Sequence, residues 1–532
     1  MNLEKTGPCE KHPIAAFIEN YLQMEGSLWM PEELLYSKAT KHKIDLRNLE
    51  MLCEKGAVKK LTMDGVNYYT VPSFHKMETQ AAYNCMRILY ADILPKVPRS
   101  TIFKIISDIE KEIGITLHSQ QREAVVTMVN NGFCVITGGP GTGKTCTLNT
   151  AVKVLEKVFP GIDIRFTAPT GKAAHRITES VKRSALTIHR ELHITRDKKD
   201  PDYFTGDVLV IDEVSMLDIE TANAVFGAIR DGQRVILVGD IEQLPSVGPG
   251  AILRDLINSC AIPCTMLTKT FRQAEDSALF ANILNSKNGN PNLSQDDEEF
   301  VIHQIDGGEK TVKQLVDIFE EEVKKTGIDN TVCLVPYRKA GNICSNKLNN
   351  AIQERINPRT IGKKSLRASL ENGQPVTYIV GDPVMQLENR DECANGDVGK
   401  VIDVEGDRLV VKYTGPQGDD FIVRYWKSEL KTQLSLAYAM SINKSQGSEY
   451  KTVIICMTEE HRAMLTRNML YTGITRAKKR VVLIEEHSAI VKAMKNVAMY
   501  ANEISNGRTT MLAEKLMFYK DTFEKAAAKQ SA

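Results

Sequence analysis

The feature that most constrains the fold is the glycine-rich segment 138–145, Gly-Gly-Pro-Gly-Thr-Gly-Lys-Thr, which directly follows an apolar stretch. Glycines at this spacing let backbone N–H groups cradle phosphates, and a helix that begins at the lysine favours negative charge at its N-terminus. The apolar residues that follow share one helical face: Leu148, Ala151, Val152, Leu155 and Val158. The succession of strand, phosphate loop and helix predicts an α/β domain built on a parallel sheet.

This first α/β domain, residues 96–275, is predicted to contain four buried strands. They are Phe133 to Thr137, Ile164 to Ala168, Val208 to Ile211 and Val235 to Val238. Each strand ends where polar or glycine-rich residues begin. Ligands of open α/β sheets collect beyond the carboxyl ends of the strands, so these polar residues should converge on one crevice.

The residues at this crevice predict that ATP and Mg²⁺ are the cofactors. The residues expected to surround the phosphates are Gly139, Pro140, Gly141, Thr142 and Gly143. Lys144 would reach the β and γ phosphates, and the Thr145 hydroxyl would bind magnesium. Asp212 would hold the metal, and Glu213 would orient or deprotonate the attacking water. A strand-ending Asp-Glu pair alone could be a cap, but its place after an apolar strand beside a phosphate loop favours catalysis.

Composition excludes some classes of protein. Lysine and arginine number 68 against 67 aspartate and glutamate residues, so a nucleic-acid surface requires local clustering of cations. The first residues lack an apolar signal core, and no run of about twenty apolar residues occurs. We therefore expect a cytoplasmic protein with no membrane segment.

The regions outside the first domain have different sequence patterns. Residues 1–95 predict a winged-helix-like module with helices at Pro13 to Met24, Pro31 to Ala39 and Asp45 to Lys55, then a hairpin at Val58 to Val71. The Asp64-Gly65 pair suits the tight turn of that hairpin. Such a module either reads nucleic acid or packs against a partner, and the residues alone do not choose. Residues 511–532 predict a tail that is a fraying helix.

A second α/β domain is predicted over residues 276–374 and 432–510. Its strands are Val332 to Val335, Val453 to Cys456 and Val481 to Ile484. The interruption, residues 375–431, carries short β-prone pieces separated by Gly and Asp, which predicts a small inserted β-barrel. Its strands are Thr377 to Val380, Val384 to Leu387, Val398 to Val404, Leu409 to Tyr413 and Phe421 to Tyr425.

An ordered series of motifs covers about residues 110 to 490. It comprises Leu117-His-Ser-Gln-Gln121, the phosphate loop, Thr167-Ala-Pro-Thr-Gly-Lys-Ala-Ala174, Thr187-Ile-His189, Ile211-Asp-Glu-Val-Ser-Met216, Gly239-Asp-Ile-Glu-Gln-Leu-Pro-Ser-Val-Gly-Pro-Gly250, Thr270-Phe-Arg-Gln273, Val335-Pro-Tyr-Arg338, Asn443-Lys-Ser-Gln-Gly-Ser-Glu449 and 471–478. The series resembles superfamily 1 helicases, in particular their RecD-like branch. The resemblance implies two RecA-like domains that enclose ATP.

The resemblance also implies roles in nucleotide binding. Gln121 would read the adenine edge, Gln243 would sense the γ-phosphate, and Phe271 would flank the base. Two late cations, Arg272 and Arg476, would neutralise charge on the γ-phosphate, although each alone is typical of a surface ion pair. The residues that would couple nucleotide to the second domain are Gln446, Gly447 and Glu449.

The expected nucleic-acid contacts are Pro169, Thr170, Gly171, Lys172 and His189. Backbone N–H groups and a hydroxyl in the loop could bind phosphates without reading sequence. Thr170 could instead cap a helix, and His189 could be structural. The resemblance implies single-stranded DNA and duplex junctions as partners, 5′ to 3′ movement, and a short pin within residues 190–206, where no separating residue is assigned.

Two other functions remain open from the sequence. Phosphate contacts do not distinguish the sugars, so an RNA or dual-specificity helicase is an alternative. The other is a partner-dependent ATPase that binds nucleic acid without unwinding it alone. Protein partners are not indicated by any segment.

Overall fold

In the computed structural model, the described residues are 12–531 apart from 196, 197, 199, 272–276, 306, 308, 370–372, 374, 391, 416, 417 and 497–506. Among these residues, no helix combines the length and the apolar character needed to cross a membrane.

The first α/β domain is built on a six-stranded sheet in which every pairing is parallel. In spatial order the strands are Ala185–Thr187, Ile164–Ala168, Val208–Ile211, Arg234–Gly239, Phe133–Gly138 and Cys264–Leu267. The four predicted strands are present, and the sequence missed the two edge strands. The helices of this domain are Arg99–Ile113, Ser119–Asn130, Lys144–Val158, Gly171–Val181, Ile188–Glu191, Ile219–Ala228 and Ile252–Asn258.

The second α/β domain has a five-stranded parallel sheet. Its order is Phe300–Ile305, Ala477–Glu486, Tyr450–Met457, Thr331–Val335 and Ala439–Ser441. Its helices are Ala278–Asn288, Glu309–Thr326, Ser345–Ile356, Arg467–Ile474 and Ala489–Lys495. Two parallel α/β sheets in one chain confirm the predicted fold class. The outer strands of this sheet, which begin at residues 300 and 439, were not predicted.

The inserted region forms a five-stranded antiparallel sheet. Its order is Asp420–Trp426, Arg408–Thr414, Val398–Glu405, Pro383–Gln386 and Leu434–Leu436. The predicted strand near Thr377 instead pairs as Pro375–Ile379 with Ser365–Ser369 in a separate two-stranded sheet. In the described part of the chain the outer strands at 420 and 434 are not paired with each other. Closure into a barrel therefore stays a prediction.

The N-terminal region contains the helices Pro13–Glu25, Glu32–His42 and Leu49–Glu54. The hairpin pairs Lys59–Met63 with Val66–Thr70, and its two turn residues Asp64 and Gly65 have φ of 50° and 78°. A third strand, Met30–Pro31, pairs with the second strand of the hairpin. These segments lie close to the predicted ones.

A long helix that the sequence did not predict, Pro72–Tyr90, joins this region to the first domain. Its buried residues share one core with alternate residues of the first sheet, such as Phe133 and Val135. The C-terminal helix Leu512–Ser531 packs on the same long helix: the Tyr83 and Tyr519 rings are 5.5 Å apart. The beginning of the predicted fraying tail is therefore anchored, because Leu512 is buried in that core.

Candidate nucleotide and strand sites

The phosphate loop lies at the carboxyl end of the strand Phe133–Gly138 and runs into the helix Lys144–Val158. Gly141 and Gly143 have φ of 74° and 79°, a region that glycine occupies without strain. The Lys144 ammonium is folded over the loop and donates to the Gly139 carbonyl at 2.9 Å. The loop borders a cavity of about 350 Å³ in which all its predicted residues, Gly139 to Thr145, take part.

Gln121 and Phe271 lie against this loop. The Gln121 amide donates to the Thr142 carbonyl at 3.2 Å, while its oxygen accepts from the His118 N–H at 2.9 Å. Gln121 therefore ties the helix start to the loop, and its role at the adenine edge stays a prediction. Phe271 is 49% exposed, and its N–H donates to the Gly141 carbonyl at 2.8 Å. Its open ring at the mouth of the loop suits a base contact.

Asp212 and Glu213 follow the strand Val208–Ile211 and border the same cavity. The Glu213 N–H donates to the Asp212 carboxylate at 2.8 Å. Burial, and then the neighbouring charge of Glu213, raises the pKa of Asp212 because both disfavour its charged form, and a bound cation would offset that cost. Glu213 has φ of 55°, a left-handed conformation that is costly for a side chain with a Cβ and occurs at functional sites.

Gln243 is buried at the base of the cavity. Its amide nitrogen contacts Asp240 at 3.4 Å, while in the described structure its Oε1 has no hydrogen-bond partner. Asp240 also accepts from the Tyr471 hydroxyl of the second domain at 3.0 Å. A buried acceptor with no partner, facing a polar cavity, fits a role toward a water or phosphate.

Arg476 reaches the cavity from the second domain and is almost fully buried. Its guanidinium donates to the Thr472 and Ser448 carbonyls at 3.1 and 3.3 Å and to the Thr475 hydroxyl at 3.1 Å. Burial lowers the pKa of Arg476, opposed by the charge of Glu213. Its hydrogen-bond partners are neutral, which leaves a positive charge directed at the place where phosphate would lie.

The three residues expected to couple the domains lie at their contact. Gln446 donates to the Leu244 carbonyl of the first domain at 3.2 Å. Gly447 has φ of 74°, and a Cβ there would lie 3.3 Å from the Ala173 nitrogen. Glu449 forms an ion pair with Arg176. All three therefore contact the first domain.

Arg176 is a functional candidate that the sequence reasoning missed. It lies on the helix Gly171–Val181, borders the nucleotide cavity, and also stands 3.9 Å from the Glu213 carboxylate. No local pattern marks it, because its partners Glu213 and Glu449 come from distant parts of the sequence. It connects Glu213 of the first domain with Glu449 of the second.

The donor set fits ATP and Mg²⁺. Thr145 and Asp212 offer the hard oxygen donors that Mg²⁺ prefers, and such sites take their remaining ligands from phosphate and water. Lys144 and Arg476 supply cations from opposite sides of the cavity, and Gln243 supplies the unsatisfied oxygen. Arg272 lies outside the described residues.

A second cavity, of about 340 Å³, lies between the first domain, the second domain and the inserted sheet. All five predicted strand contacts line it: Pro169, Thr170, Gly171, Lys172 and His189. Further lining residues were not predicted from the sequence: Val247 of the first domain, Asn389 and Asn395 of the inserted region, and Asn443 and Lys444 of the second domain.

The alternative for Thr170 is also present, because its hydroxyl accepts from the Ala173 N–H at 3.3 Å and caps the helix. His189 is exposed to this cavity rather than packed in a core. Lys172 lies 5.5 Å from the Tyr450 ring. Burial, followed by the charge of Arg338, lowers the pKa of Lys444.

The segment predicted to hold a pin, 190–206, offers few candidates in its described part. Phe204 is buried, and its N–H donates to the Ala228 carbonyl at 3.0 Å. Tyr203 is 61% exposed, and the Arg230 guanidinium lies 4.8 Å from its ring. We assign no strand-separating residue.

A third feature missed from the sequence is a clamp on the loop Ser246 to Gly250. The buried Arg508 guanidinium donates to the Gly248 and Gly250 carbonyls at 2.9 and 2.7 Å and to the Ser246 hydroxyl at 2.9 Å. The Gly250 N–H donates to the Gly26 carbonyl of the N-terminal region at 2.8 Å. This loop, whose Val247 lines the strand cavity, is therefore held by the N-terminal region and by Arg508.

Two α/β domains with a phosphate loop, a buried Asp-Glu pair and an opposing buried arginine define a P-loop protein that encloses its nucleotide between tandem domains. Residues 116–306 match the AAA domain family, and residues 436–484 match the family described as UvrD-like helicase C-terminal domain. The first match spans the motifs of the first α/β domain and continues into the beginning of the second, and the other match covers the later part of the second domain.

Curated relatives refine this class. The chain is 33% identical over 374 residues to the ATP-dependent RecD2 DNA helicase of Deinococcus radiodurans, which covers 68% of this chain and 48% of that protein. It is 28% identical over 429 residues to the RecBCD enzyme subunit RecD of Mycobacterium tuberculosis, covering 72% of each. These matches confirm the resemblance to RecD-like helicases of superfamily 1. The chain spans about half the length of the Deinococcus relative.

Among solved structures, the Pif1 helicase from Candida albicans is similar at 21% identity and a TM-score of 0.45, covering 77% of this chain and 100% of that one.

Proposed function

We propose that this chain is an ATP-dependent DNA helicase that moves 5′ to 3′ along single-stranded DNA and opens duplex junctions. The observation that carries the proposal is the arrangement of two cavities. The nucleotide cavity and the strand cavity both lie between the same two α/β domains, and both are lined by residues of the helix Gly171–Val181. A motor requires such a shared boundary, because nucleotide turnover has to move the parts that hold the strand.

Each residue has a part in the proposed hydrolysis. Lys144 and Arg476 would stabilise negative charge on the γ-phosphate from the two domains. Glu213 would orient and deprotonate the attacking water, with the Gln243 oxygen as a second acceptor. Thr145 and Asp212 would hold Mg²⁺, which when bound would neutralise negative charge that develops on the phosphate.

Movement would follow from closure and opening of the cavity. Binding of nucleotide favours the arrangement in which Arg476 and Gln446 meet the first domain, and product release relaxes it. The strand would be held at Lys172 and His189 of the first domain and at Lys444 of the second. Alternating grip on these two sets would produce steps.

The direct test uses identical duplexes that carry either a 5′ or a 3′ single-stranded tail. We expect ATP-dependent unwinding of the 5′-tailed duplex alone. Preference for the 3′ tail would contradict the polarity, and absence of unwinding with intact ATPase activity would favour the partner-dependent ATPase. Comparing ATPase stimulation by single-stranded DNA and by RNA of equal length tests the nucleic-acid class.

Two variants test the site itself. Lys144→Ala should abolish hydrolysis and unwinding. Glu213→Gln should retain nucleotide binding while hydrolysis falls, because the amide cannot take the proton of water. Turnover near the parent rate in either variant would remove that residue from the proposed chemistry.

A further inference from the structure

An open groove lies on the inserted region, apart from both cavities. It measures about 910 Å³, and its walls include Arg367, Ser369, Asp407, Trp426, Lys427 and Lys431. Asp407 follows the strand Val398–Glu405, whereas Asn395 and Gly396, which line the strand cavity, precede it. At 3.3 Å per residue, eight strand residues place these two ends roughly 25 Å apart.

The groove carries an excess of positive charge. Arg367, Lys427 and Lys431 are exposed, and within the described ranges no ion pair joins them to a carboxylate. Two nearby carboxylates are already engaged, since Glu405 pairs with Arg424 at 3.2 Å and Glu429 pairs with Arg390 at 3.3 Å. Among the described residues, Asp407 is the one acidic residue in the wall. The net field therefore attracts an anion.

An aromatic ring stands beside these cations. Trp426 is 50% exposed at the end of its strand, where its backbone N–H donates to the Glu429 carboxylate at 2.7 Å. Arg408 is paired with Trp426 on the neighbouring strand, and its guanidinium lies 3.8 Å from the centroid of the indole ring. The indole is thus held in place by a cation on one side and remains accessible. A large exposed aromatic ring among cations is typical of surfaces that stack bases.

We propose that this groove binds single-stranded nucleic acid, with a base stacked on Trp426 and phosphates paired with Arg367, Lys427 and Lys431. The inference rests on the proposed function and deepens it, because it adds a second strand contact outside the cavity between the domains. An acidic peptide would satisfy the cations but would leave the indole without a stacking partner. Stacking on an aromatic ring and phosphate pairing both tolerate any base sequence.

The tryptophan content makes a direct test possible. The chain has two tryptophans, and Trp29 is only 2% exposed, so a ligand-induced change in fluorescence reports Trp426. Titration of the full chain with an oligothymidylate should quench this emission, and the quenching should weaken as salt rises. Polyglutamate of matched charge should not quench it. Equal quenching by polyglutamate would overturn the nucleic-acid assignment in favour of an acidic peptide.

Variants locate the effect. Lys427→Gln combined with Lys431→Gln should weaken the quenching titration roughly tenfold and lower its salt slope by about 0.7 for each lost phosphate contact. Lys412→Gln is the matched control, because Lys412 lies on the same sheet but already pairs with Asp420 at 2.9 Å. If the double variant and the Lys412→Gln control weaken the titration equally, with unchanged circular dichroism spectra, the proposed binding in the groove is refuted.

Two further measurements separate this inference from the proposed function. Lys172→Gln should weaken stimulation of the ATPase by DNA but leave quenching of Trp426 intact. Unwinding by the parent chain without quenching would reject the groove alone. Quenching without any DNA-stimulated hydrolysis would instead reject the motor and keep the groove.

Discussion

Replacement of Arg176 by alanine tests how the two cavities communicate. Arg176 bridges the Glu449 carboxylate of the second domain and the Glu213 carboxylate of the first, the latter at 3.9 Å. Its removal frees the proposed water-orienting group and also cuts a contact between the domains. We therefore expect hydrolysis to slow while nucleotide still binds.

The structure sets the size of this effect. At 3.9 Å and an effective dielectric constant of about 20, the gross attraction between Arg176 and Glu213 is about 4 kcal/mol. The Arg176 side chain is 41% exposed, however, and solvent reduces such pairs toward 0.2–1 kcal/mol. An intermediate value of about 1.4 kcal/mol corresponds to a tenfold loss of rate.

The assay is steady-state ATP hydrolysis with and without single-stranded DNA, together with equilibrium nucleotide binding. Arg176→Ala should lower the DNA-stimulated rate constant about tenfold with little change in nucleotide affinity, and Arg176→Lys should recover part of the loss because it keeps the charge. Arg183→Ala is the control, since Arg183 lies two residues beyond the same helix and pairs with the surface residue Glu156. If Arg176→Ala hydrolyses ATP at the parent rate, or if Arg183→Ala loses as much activity, the proposed role of Arg176 is refuted.

Further predictions concern packing and the clamp. Gly171→Ala should weaken strand binding and lower stability by about 1–3 kcal/mol, because its new methyl would lie 1.8 Å from the Ala394 Cβ, and Ala394→Gly in the same chain should restore both in binding and thermal-melting assays. Arg508→Gln should lower the unfolding free energy by about 3 kcal/mol in denaturant titrations, since it leaves buried carbonyls of the loop unpaired; an unchanged midpoint would argue against the clamp. Gln243→Ala should slow hydrolysis without a loss of stability, and a lowered melting temperature with parent turnover would reverse that assignment.

How far the fold could be predicted depended on strand burial. The central strands Phe133–Gly138 and Arg234–Gly239 are buried at every position, so they stand out as apolar runs. Two of the missed strands lie at sheet edges and are mostly not buried: Cys264–Leu267 has one buried residue, and Phe300–Ile305 has buried residues only at its ends. A third, Ala439–Ser441, is buried but only three residues long. An edge strand faces solvent, so its sequence carries little of the apolar signal that reveals a central strand.

The candidate sites divide in the same way. Residues that act through local geometry, such as Lys144 after its glycine loop and Asp212 after its strand, were predictable from their immediate neighbours. Arg176 and Arg508 were not, because their partners Glu449 and Ser246 are 273 and 262 residues away. An arginine on a helix surface and one in a loop look ordinary until the fold supplies the acceptors.

These distant contacts give the helix Gly171–Val181 a mechanical meaning. Its first turn lines the strand cavity, while Arg176, little more than one turn later, borders the nucleotide cavity. Between them, His175 lies 3.4 Å from Asp397 of the inserted region, and Gly447 of the second domain packs against Ala173. A rigid helix with contacts on both cavities cannot change its relation to the second domain at one end alone. In the proposed mechanism, closure around nucleotide would therefore shift the second domain's residues along the strand cavity, which is the displacement that the proposed motor requires.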